Sequence, residues 1–134
     1  MIIFFEFGRT GNQLFQYIGL KKYFPSEKLV FFGCESLEKY FDEIDVYFIN
    51  KKKKVMRFLF KLLRTVTFCL ADLRILGCIE ENDQLDKFNI IIKKGLISNL
   101  FVARNIYFQH KDIVNHIEHP PLLKKYLQKE VLRW

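Results

Sequence analysis

The chain has 134 residues, half of them hydrophobic and 15 of them phenylalanine, which is too apolar for a disordered tail and long enough for one packed domain. Its formal net charge is +7. The excess is local, because residues 51–64 contain seven basic side chains and no acidic one, while the other 120 residues carry 15 of each sign. This distribution argues against a basic surface that follows a phosphate backbone, and we expect no nucleic-acid partner.

The cysteines and the N-terminus indicate the compartment. Cys34, Cys69 and Cys78 are 35 and 9 positions apart, which fits neither a disulfide framework nor a CxxC metal site, so we expect reduced thiols. The apolar run at 1–5 meets a charge at Glu6 and is too short for a signal peptide or a membrane span. We therefore expect the chain to reside in the cytoplasm.

Strand and helix patterns alternate along the chain. Residues 2–7 predict a buried strand, residues 8–11 a tight turn, and the apolar spacing from Asn12 to Pro25 a helix that Asn12 caps. The other predicted elements are a strand at 29–32, a helix at 37–44, a strand at 46–49, a long helix from the lysine run to near Gly77, a strand at 88–92, a brief strand at Ile106, and helices at 111–118 and after Pro121. This order predicts an α/β fold with a parallel sheet and right-handed crossovers.

A glycine turn joins the first predicted strand to the first predicted helix. In residues 8–13, Gly-Arg-Thr-Gly-Asn-Gln, backbone N–H groups and the positive end of a helix can approach a phosphate because no side chain blocks them. The string matches neither the G-x-G-x-x-G dinucleotide fingerprint nor the G-x-x-x-x-G-K-[ST] P-loop. By position alone, the turn fits an anion cradle or a purely structural connection.

A longer string around this turn carries a family resemblance. Residues 7–17, Phe-Gly-Arg-Thr-Gly-Asn-Gln-Leu-Phe-Gln-Tyr, resemble the G-x-x-G-N-Q-x-F-Q-Y segment that opens α-1,2-fucosyltransferases. Residues 106–111, Ile-Tyr-Phe-Gln-His-Lys, are similar to the family's G-Y-F-Q-S-E segment. The resemblance implies transfer of fucose from GDP-fucose to a galactoside hydroxyl in surface glycan synthesis, with inversion and without a metal or other cofactor. It also implies a Rossmann-like parallel sheet with helices on both faces, as the N-terminal lobe of a GT-B-type glycosyltransferase.

The resemblance implies roles for two sets of residues. Those implied to bind the donor diphosphate are Gly8, Arg9, Gly11 and Asn12. Those implied to bind sugar are Gln13, Gln16, Tyr107 and Gln109. Structural alternatives stay open, since Arg9 also fits a solvated turn, Asn12 a helix cap and Gln16 an exposed helix position.

The departures from the family pattern limit what the resemblance implies. Ile106 stands where the family has glycine, and His110 and Lys111 replace a small polar and an acidic residue, so the acceptor is not fixed. The family's H-x-R-R-G-D segment engages the donor diphosphate, and no two arginines are adjacent in this chain. We therefore expect residues 1–134 to form one acceptor-side lobe without the C-terminal donor-binding lobe, which a separately encoded chain would have to supply. No catalytic base is assigned, because the candidate carboxylates lack a motif; they are Glu6, Asp42, Glu43 and Asp45.

The basic segment indicates a second class of function. Its cations are Lys51, Lys52, Lys53, Lys54, Arg57, Lys61 and Arg64. From Lys54 onward they recur on one helical face beside a wide apolar face, which fits an interfacial helix on anionic lipid at the inner face of the plasma membrane, or a helix packed on the sheet with a solvated basic face. The acceptor would then include lipid-linked galactosides. The alternative function is a non-catalytic membrane-binding or interaction module that keeps the lobe's fold.

A pair of histidines is the remaining pattern with metal-ligand spacing. His116 and His119 lie three positions apart on a predicted helix, but Pro120 interrupts the turn. We predict no metal site there.

We predict that residues 1–134 alone catalyse no measurable fucosyl transfer. The departing GDP concentrates negative charge on its diphosphate, and the loss of even one preorganised donor typically costs about 100- to 1,000-fold in rate. The measurement is an assay of the purified chain with GDP-fucose and a β-galactoside, beside a mixture with any downstream open reading frame. Turnover by the chain alone would show that the donor site is misplaced.

Overall fold

The computed structural model describes residues 1–42, 44–50, 54–84 and 87–108. Within these ranges the strands are β1 (Ile2–Phe5), β2 (Leu29–Phe32), β3 (Tyr47–Ile49), β4 (Leu76–Gln84), β5 (Lys87–Lys93) and β6 (Ile97–Arg104). The helices of the same ranges are α1 (Thr10–Tyr23), α2 (Glu35–Tyr40) and α3 (Lys54–Asp72).

The strands form one sheet in the order β3-β2-β1-β6-β4-β5. Every neighbouring pair is parallel except β4 and β5, which run antiparallel. β1 therefore lies in the interior of the sheet, between β2 and β6, with Phe4 opposite both Phe31 and Ala103. The predicted α/β class is confirmed, and the sheet, which the sequence predicted to be parallel, is parallel except for the β4–β5 pair.

Alternating side chains of β1 supply two separate cores. Ile2 and Phe4 lie in the first core, beside Tyr17 and Leu20 of α1 and Leu37 of α2. The side chains of the second core that surround Phe5 come from α3, β4 and β6, and they are Ala71, Leu76, Cys78 and Val102. Because successive strand residues point to opposite faces, α1 and α2 cover one face of the sheet and α3 covers the other. Helices on both faces are thus confirmed.

Several predicted boundaries shift by a few residues. β1 ends at Phe5, two residues before its predicted end, and α2 occupies Glu35–Tyr40 instead of 37–44. The helix predicted to end near Gly77 ends at Asp72, because Arg74 adopts a positive φ of 56° that no α-helix continues through. Gly77 instead lies in β4.

Two strands of the structure, β4 and β6, were not predicted from the sequence. β4 runs through the polar sequence Glu-Glu-Asn-Asp-Gln at 80–84, and these residue types are not typical of strands. β6 ends at Arg104, and residues 106–108 form no regular element, so the brief strand predicted at Ile106 was wrong. The predicted helices at 111–118 and beyond lie outside the described residues. The strand predicted at 88–92 is confirmed as β5.

The three cysteines form no disulfide, as the spacing predicted. Cys34 and Cys78 are buried and Cys69 is exposed. Burial raises the pKa of the Cys78 thiol to about 11, and the nearby Glu80 carboxylate adds to the effect. Cys78 therefore behaves as a buried apolar residue and not as a nucleophile.

Gly19 is a position in α1 where no larger residue fits. A Cβ there would lie 2.2 Å from the Phe108 ring, whereas a Cβ at Gly11 would meet no atom within 4 Å. Phe108 is fully buried and stacks on the Tyr23 ring at 5.9 Å. The close approach of α1 to residues 106–108 thus depends on a glycine.

We predict opposite effects for alanine at the two glycines of α1. Gly19→Ala lowers the free energy of unfolding by about 1–3 kcal/mol, because the methyl group must displace the Phe108 ring. Gly11→Ala is the matched control and leaves stability unchanged or raises it by about 0.5–1 kcal/mol, since alanine favours helix. Urea unfolding of both variants measures the difference. Equal stability of the two variants would contradict the packing.

Candidate functional site at the carboxyl edge of the sheet

The loops that carry the two family-like segments leave the sheet at the same edge. β1 ends at Phe5 and its parallel neighbour β6 ends at Arg104, so residues 6–9 and 105–108 emerge side by side. The rings of Phe7 and Tyr107 meet edge to face at 5.5 Å. In open parallel sheets this edge is where ligands bind.

The glycine turn opens toward solvent. Gly8 is exposed and has a φ of 78°, and Arg9 and Gly11 are also exposed. A Cβ at Gly8 would lie 2.9 Å from the Asn12 amide nitrogen, so the turn packs tightly on that side chain. An exposed glycine turn before a helix start permits close approach of an anion to the backbone.

The sequence predicted that Asn12 caps α1, but in the structure it does not. The helix begins at Thr10, its N-cap residue is Arg9, and no side chain caps it by a hydrogen bond. Asn12 therefore lies inside the first turn, next to Gly8. The first turn contains no acidic residue, so none of its own side chains offsets the positive end of the helix dipole.

The Gln13 side chain supports the glycine turn through hydrogen bonds. Its side chain is 2% exposed, and its Nε2 donates to the Gly8 carbonyl oxygen at 3.2 Å and to Glu6 Oε1 at 3.3 Å. Gln13 Oε1 is buried and has no hydrogen-bond partner among the described residues. Gln13 thus has a structural role in the turn, with a buried side chain that faces the protein interior.

Gln16 joins the two segments. It is fully buried, which excludes the exposed helix position considered above, and its Nε2 donates to the Ile106 carbonyl oxygen at 2.7 Å. This contact links residues 90 positions apart in the sequence. Since its nitrogen is engaged in the interior, Gln16 acts on the site by positioning residues 106–108.

A carboxylate on β4 fixes the second segment. Glu81 Oε2 accepts hydrogen bonds from the backbone N–H groups of Tyr107, at 2.6 Å, and of Phe108, at 2.9 Å. Asn105 and Phe108 adopt positive φ angles of 52° and 51°, which bend the chain around this carboxylate. Tyr107 is left 41% exposed at the edge. Gln109, the other predicted sugar-binding residue of this segment, lies outside the described residues.

Arg104 also lies at this edge, but its guanidinium is engaged. It donates to Glu80 through Nε and to Asp72 Oδ1 at 2.7 Å. Hydrogen bonding to Glu80 is the main cause that raises the Arg104 pKa. Burial acts to raise the pKa of the Glu80 carboxyl, yet hydrogen bonds from Lys93 and Arg104 lower it overall. Arg104 thus anchors β6 to α3 and β4.

Two hollows lie along the N-terminal half of α3. A cavity of about 230 Å³ is lined by Phe5, Glu6, Phe32, Arg57, Phe60, Lys61 and Arg64. An apolar groove of about 380 Å³ is lined by Phe32, Ile49, Met56, Leu59, Phe60, Leu62, Leu63 and Val66. The Phe32 and Phe60 rings line both hollows and meet edge to face at 5.4 Å.

The structure thus gives the basic segment a place beside the candidate site. Arg57, Lys61 and Arg64 are exposed to solvent, and they also line the cavity that Glu6 lines. Spacing along a helix shows that these cations share a face, but it does not show which strand ends the face meets. Lys51, Lys52 and Lys53 lie outside the described residues.

The remaining sequence patterns correspond to no site in the described part of the chain. Asp45 forms a salt bridge with Lys21 at 2.7 Å, and the hydrogen bond from Lys21 lowers its pKa. No group of three potential metal ligands occurs among the described residues, which do not include His116 and His119. Of the helices described, none has the length and apolar character needed to cross a membrane.

Comparisons with protein-family models, with curated proteins and with solved structures found no match to this chain.

We predict that Gln16→Leu lowers the free energy of unfolding by about 1–3 kcal/mol. The substitution keeps the side-chain size but leaves the buried Ile106 carbonyl without its donor. Chemical unfolding measures the loss, and the Tyr107 ring signals in an NMR spectrum should shift because residues 106–108 lose their anchor. A stability change below about 0.5 kcal/mol would contradict the linking role of Gln16.

Proposed function

We propose that this chain is the acceptor-side lobe of a glycosyltransferase of the α-1,2-fucosyltransferase type, which transfers fucose from GDP-fucose to a galactoside hydroxyl. The observation that carries the proposal is the contact between the two family-like segments. Residues 7–17 and 106–108 lie far apart in sequence, yet Gln16 bonds to Ile106 and Phe7 packs on Tyr107. Both segments border the sheet edge where open α/β folds bind ligands.

In this proposal the glycine turn receives the donor diphosphate. Gly8 and Gly11 leave the backbone accessible, and the exposed Arg9 supplies a planar, permanently charged fork suited to phosphate oxygens. Asn12, in the first turn of α1, offers a neutral amide donor as charge develops on the leaving GDP. The uncapped helix start adds a favourable dipole.

The sugar-binding residues are fewer than the resemblance implies. Tyr107 is exposed at the edge, whereas Gln13 is left out of the set because its side chain, Oε1 included, is buried beneath the turn that it supports. Gln16 is left out of the set because its side chain is buried and bonded to Ile106. Glu6, which is hydrogen bonded to Gln13, is the candidate general base. In this role it would have to lie within hydrogen-bond reach of the acceptor hydroxyl whose proton it accepts.

We predict that Arg9→Gln weakens binding of GDP-fucose by roughly 10- to 100-fold, since a hydrogen bond to a charged group contributes about 1.5–3 kcal/mol. Arg74→Gln is the matched control, because Arg74 is exposed and precedes β4 at the opposite edge of the sheet. Isothermal titration of both variants with GDP-fucose makes the comparison. Equal weakening in the two variants would reduce the effect to general charge and would contradict the diphosphate assignment.

Exposed apolar side chains on α3 favour the second candidate function, a peripheral membrane-binding module. Phe58 and Leu62 are 69% and 52% exposed and lie on the same helix as Arg57, Lys61 and Arg64. A helix with apolar and basic residues exposed together suits the surface of an anionic bilayer. Here the lobe would serve to hold this helix at the membrane.

We predict that Phe58→Asn reduces sedimentation of the chain with anionic vesicles by about tenfold in partition coefficient, because an inserted aromatic side chain contributes about 1.5–3 kcal/mol. The control is Leu96→Asn, since Leu96 is 85% exposed but lies outside α3. Binding should also fall with added salt and with alanine at Lys51, Lys52, Lys53 and Lys54. Equal binding to neutral and anionic vesicles would eliminate the membrane function.

A further inference from the structure

One side of α3 carries side chains at the spacing of a coiled-coil seam. They are Leu59, Leu62, Val66, Cys69 and Leu73, so the steps between them alternate between three and four residues. This average of about 3.5 residues is the period at which the a and d side chains of two helices stay in contact over several turns. Leu73 directly follows the helix and extends its last turn, since its backbone N–H donates to the Cys69 carbonyl oxygen at 2.9 Å. These five residues form the seam.

The seam lies on the side of α3 that faces away from the sheet. The buried side chains of the described helix are Phe60, Thr67 and Ala71, whose spacing places them on one stripe against the sheet. At about 100° per residue, every seam residue is at least about 100° around the helix axis from Phe60. The leucine and valine side chains of the seam are accordingly 45–70% exposed, and Cys69 is exposed as well.

The apolar surface on this side is large enough for a specific contact. Phe58 and Leu63 flank the seam and are 69% and 42% exposed. Together with the leucines and the valine of the seam, their exposed fractions add to about three whole side chains, or about 600 Å² at roughly 200 Å² for each. A contiguous patch of this size is typical of a binding surface. Two such faces in contact would bury about 1,200 Å², which is the lower limit for stable protein interfaces.

We propose that a second copy of this chain covers the seam, with the two α3 helices antiparallel. The seam is self-complementary in this direction, because the register that sets Leu59 opposite Cys69 of the second copy also sets Leu62 opposite its Val66. Each pair then occurs twice, with the two copies exchanged, as a two-fold symmetric dimer requires. The inference does not rest on the transferase proposal, since it uses none of residues 6–13.

The distribution of charge along α3 favours the antiparallel direction. Residues 51–64 contain seven basic side chains and no acidic one, whereas residues 65–73 contain Asp72 and no basic side chain. A parallel pair would bring the two basic segments together. An antiparallel pair separates them and sets each one beside the negative, C-terminal end of the other helix. The dimer also covers the side chains that attachment to a lipid surface would need, so lipid is the competing occupant.

The first test is sedimentation velocity of the full chain in reducing buffer, from about 1 to 200 μM, a range that suits the weak affinity of a minimal interface. The mass should rise with concentration from 16.2 kDa toward twice that value. Added salt should not weaken the dimer, because it screens the repulsion between basic segments, whereas it would weaken attachment to anionic lipid. A monomer over the whole range would overturn the proposal. If that monomer bound anionic vesicles, the apolar face would belong to lipid instead.

Matched variants locate the contact. Leu62→Asn should weaken dimerisation by at least tenfold, because a two-fold contact loses a leucine side chain from each copy. Leu62 is 52% exposed, so the variant should keep its fold, which circular dichroism checks. The control Leu96→Asn makes the same change at a position that is 85% exposed and lies outside α3, and it should leave the dimer unchanged. Equal losses in the two variants would overturn the proposal.

Cross-linking by oxidation tests the direction of the helices. Leu59→Cys should give a covalent dimer, because the new thiol meets Cys69 of the second copy, and the additional change Cys69→Ser should abolish it. The unsubstituted chain should not cross-link, since its two Cys69 residues would lie about 15 Å apart along the helix axis, too far for a disulfide. Cross-linking of the unsubstituted chain through Cys69 would show a parallel pair and overturn the antiparallel arrangement.

Discussion

The parallel pairing of β1 with β6 is the constraint on which the arrangement of this molecule depends. It places the ends of two strands from opposite ends of the described chain beside each other, with Phe4 opposite Ala103. The loops that follow then have to pack together, and they do so through the Gln16–Ile106 hydrogen bond and through Phe108 over Gly19. Several residues of the family-like strings therefore owe their identity to packing. Gln16 and Phe108 are buried, while Gly8, Arg9 and Tyr107 remain exposed beside them.

Helix α3 divides into two parts with different physical roles. Its C-terminal half is fixed to the sheet by Thr67 and Ala71, which are buried, and by Asp72, which bonds to Arg104. Its N-terminal half has only Phe60 buried among its described side chains, so its flanks stay open. Around the helix axis, the cations lie on one side of Phe60 and the leucines on the other, about half a turn apart. This division gives a single helix one cationic flank and one apolar flank.

The sequence predicted the first half of the fold well, because there each strand is a short apolar run bounded by glycine or proline. Gly33 follows β2, and Pro25 lies between α1 and β2. It failed for β4, whose second half is polar, since that strand is stabilised by pairing with β5 and by Glu80 and Glu81, which bond to Arg104, Tyr107 and Phe108. Arg104, Tyr107 and Phe108 lie more than 20 residues further along the chain and leave no local signal. For the same reason, the spacing of Arg57, Lys61 and Arg64 predicted a basic face but not the cavity that this face lines.

The most direct test of the account is to map GDP on the chain by ¹H–¹⁵N NMR. If the glycine turn binds the diphosphate, backbone signals of Gly8, Arg9, Gly11 and Asn12 should shift on titration, and those of Tyr107 should follow because it packs on Phe7. The backbone signals of residues at the opposite edge, such as Arg74 and Leu96, should not shift. Shifts confined to Arg57, Lys61 and Arg64, or no localised shifts at all, would contradict the assignment of the carboxyl edge as the donor site.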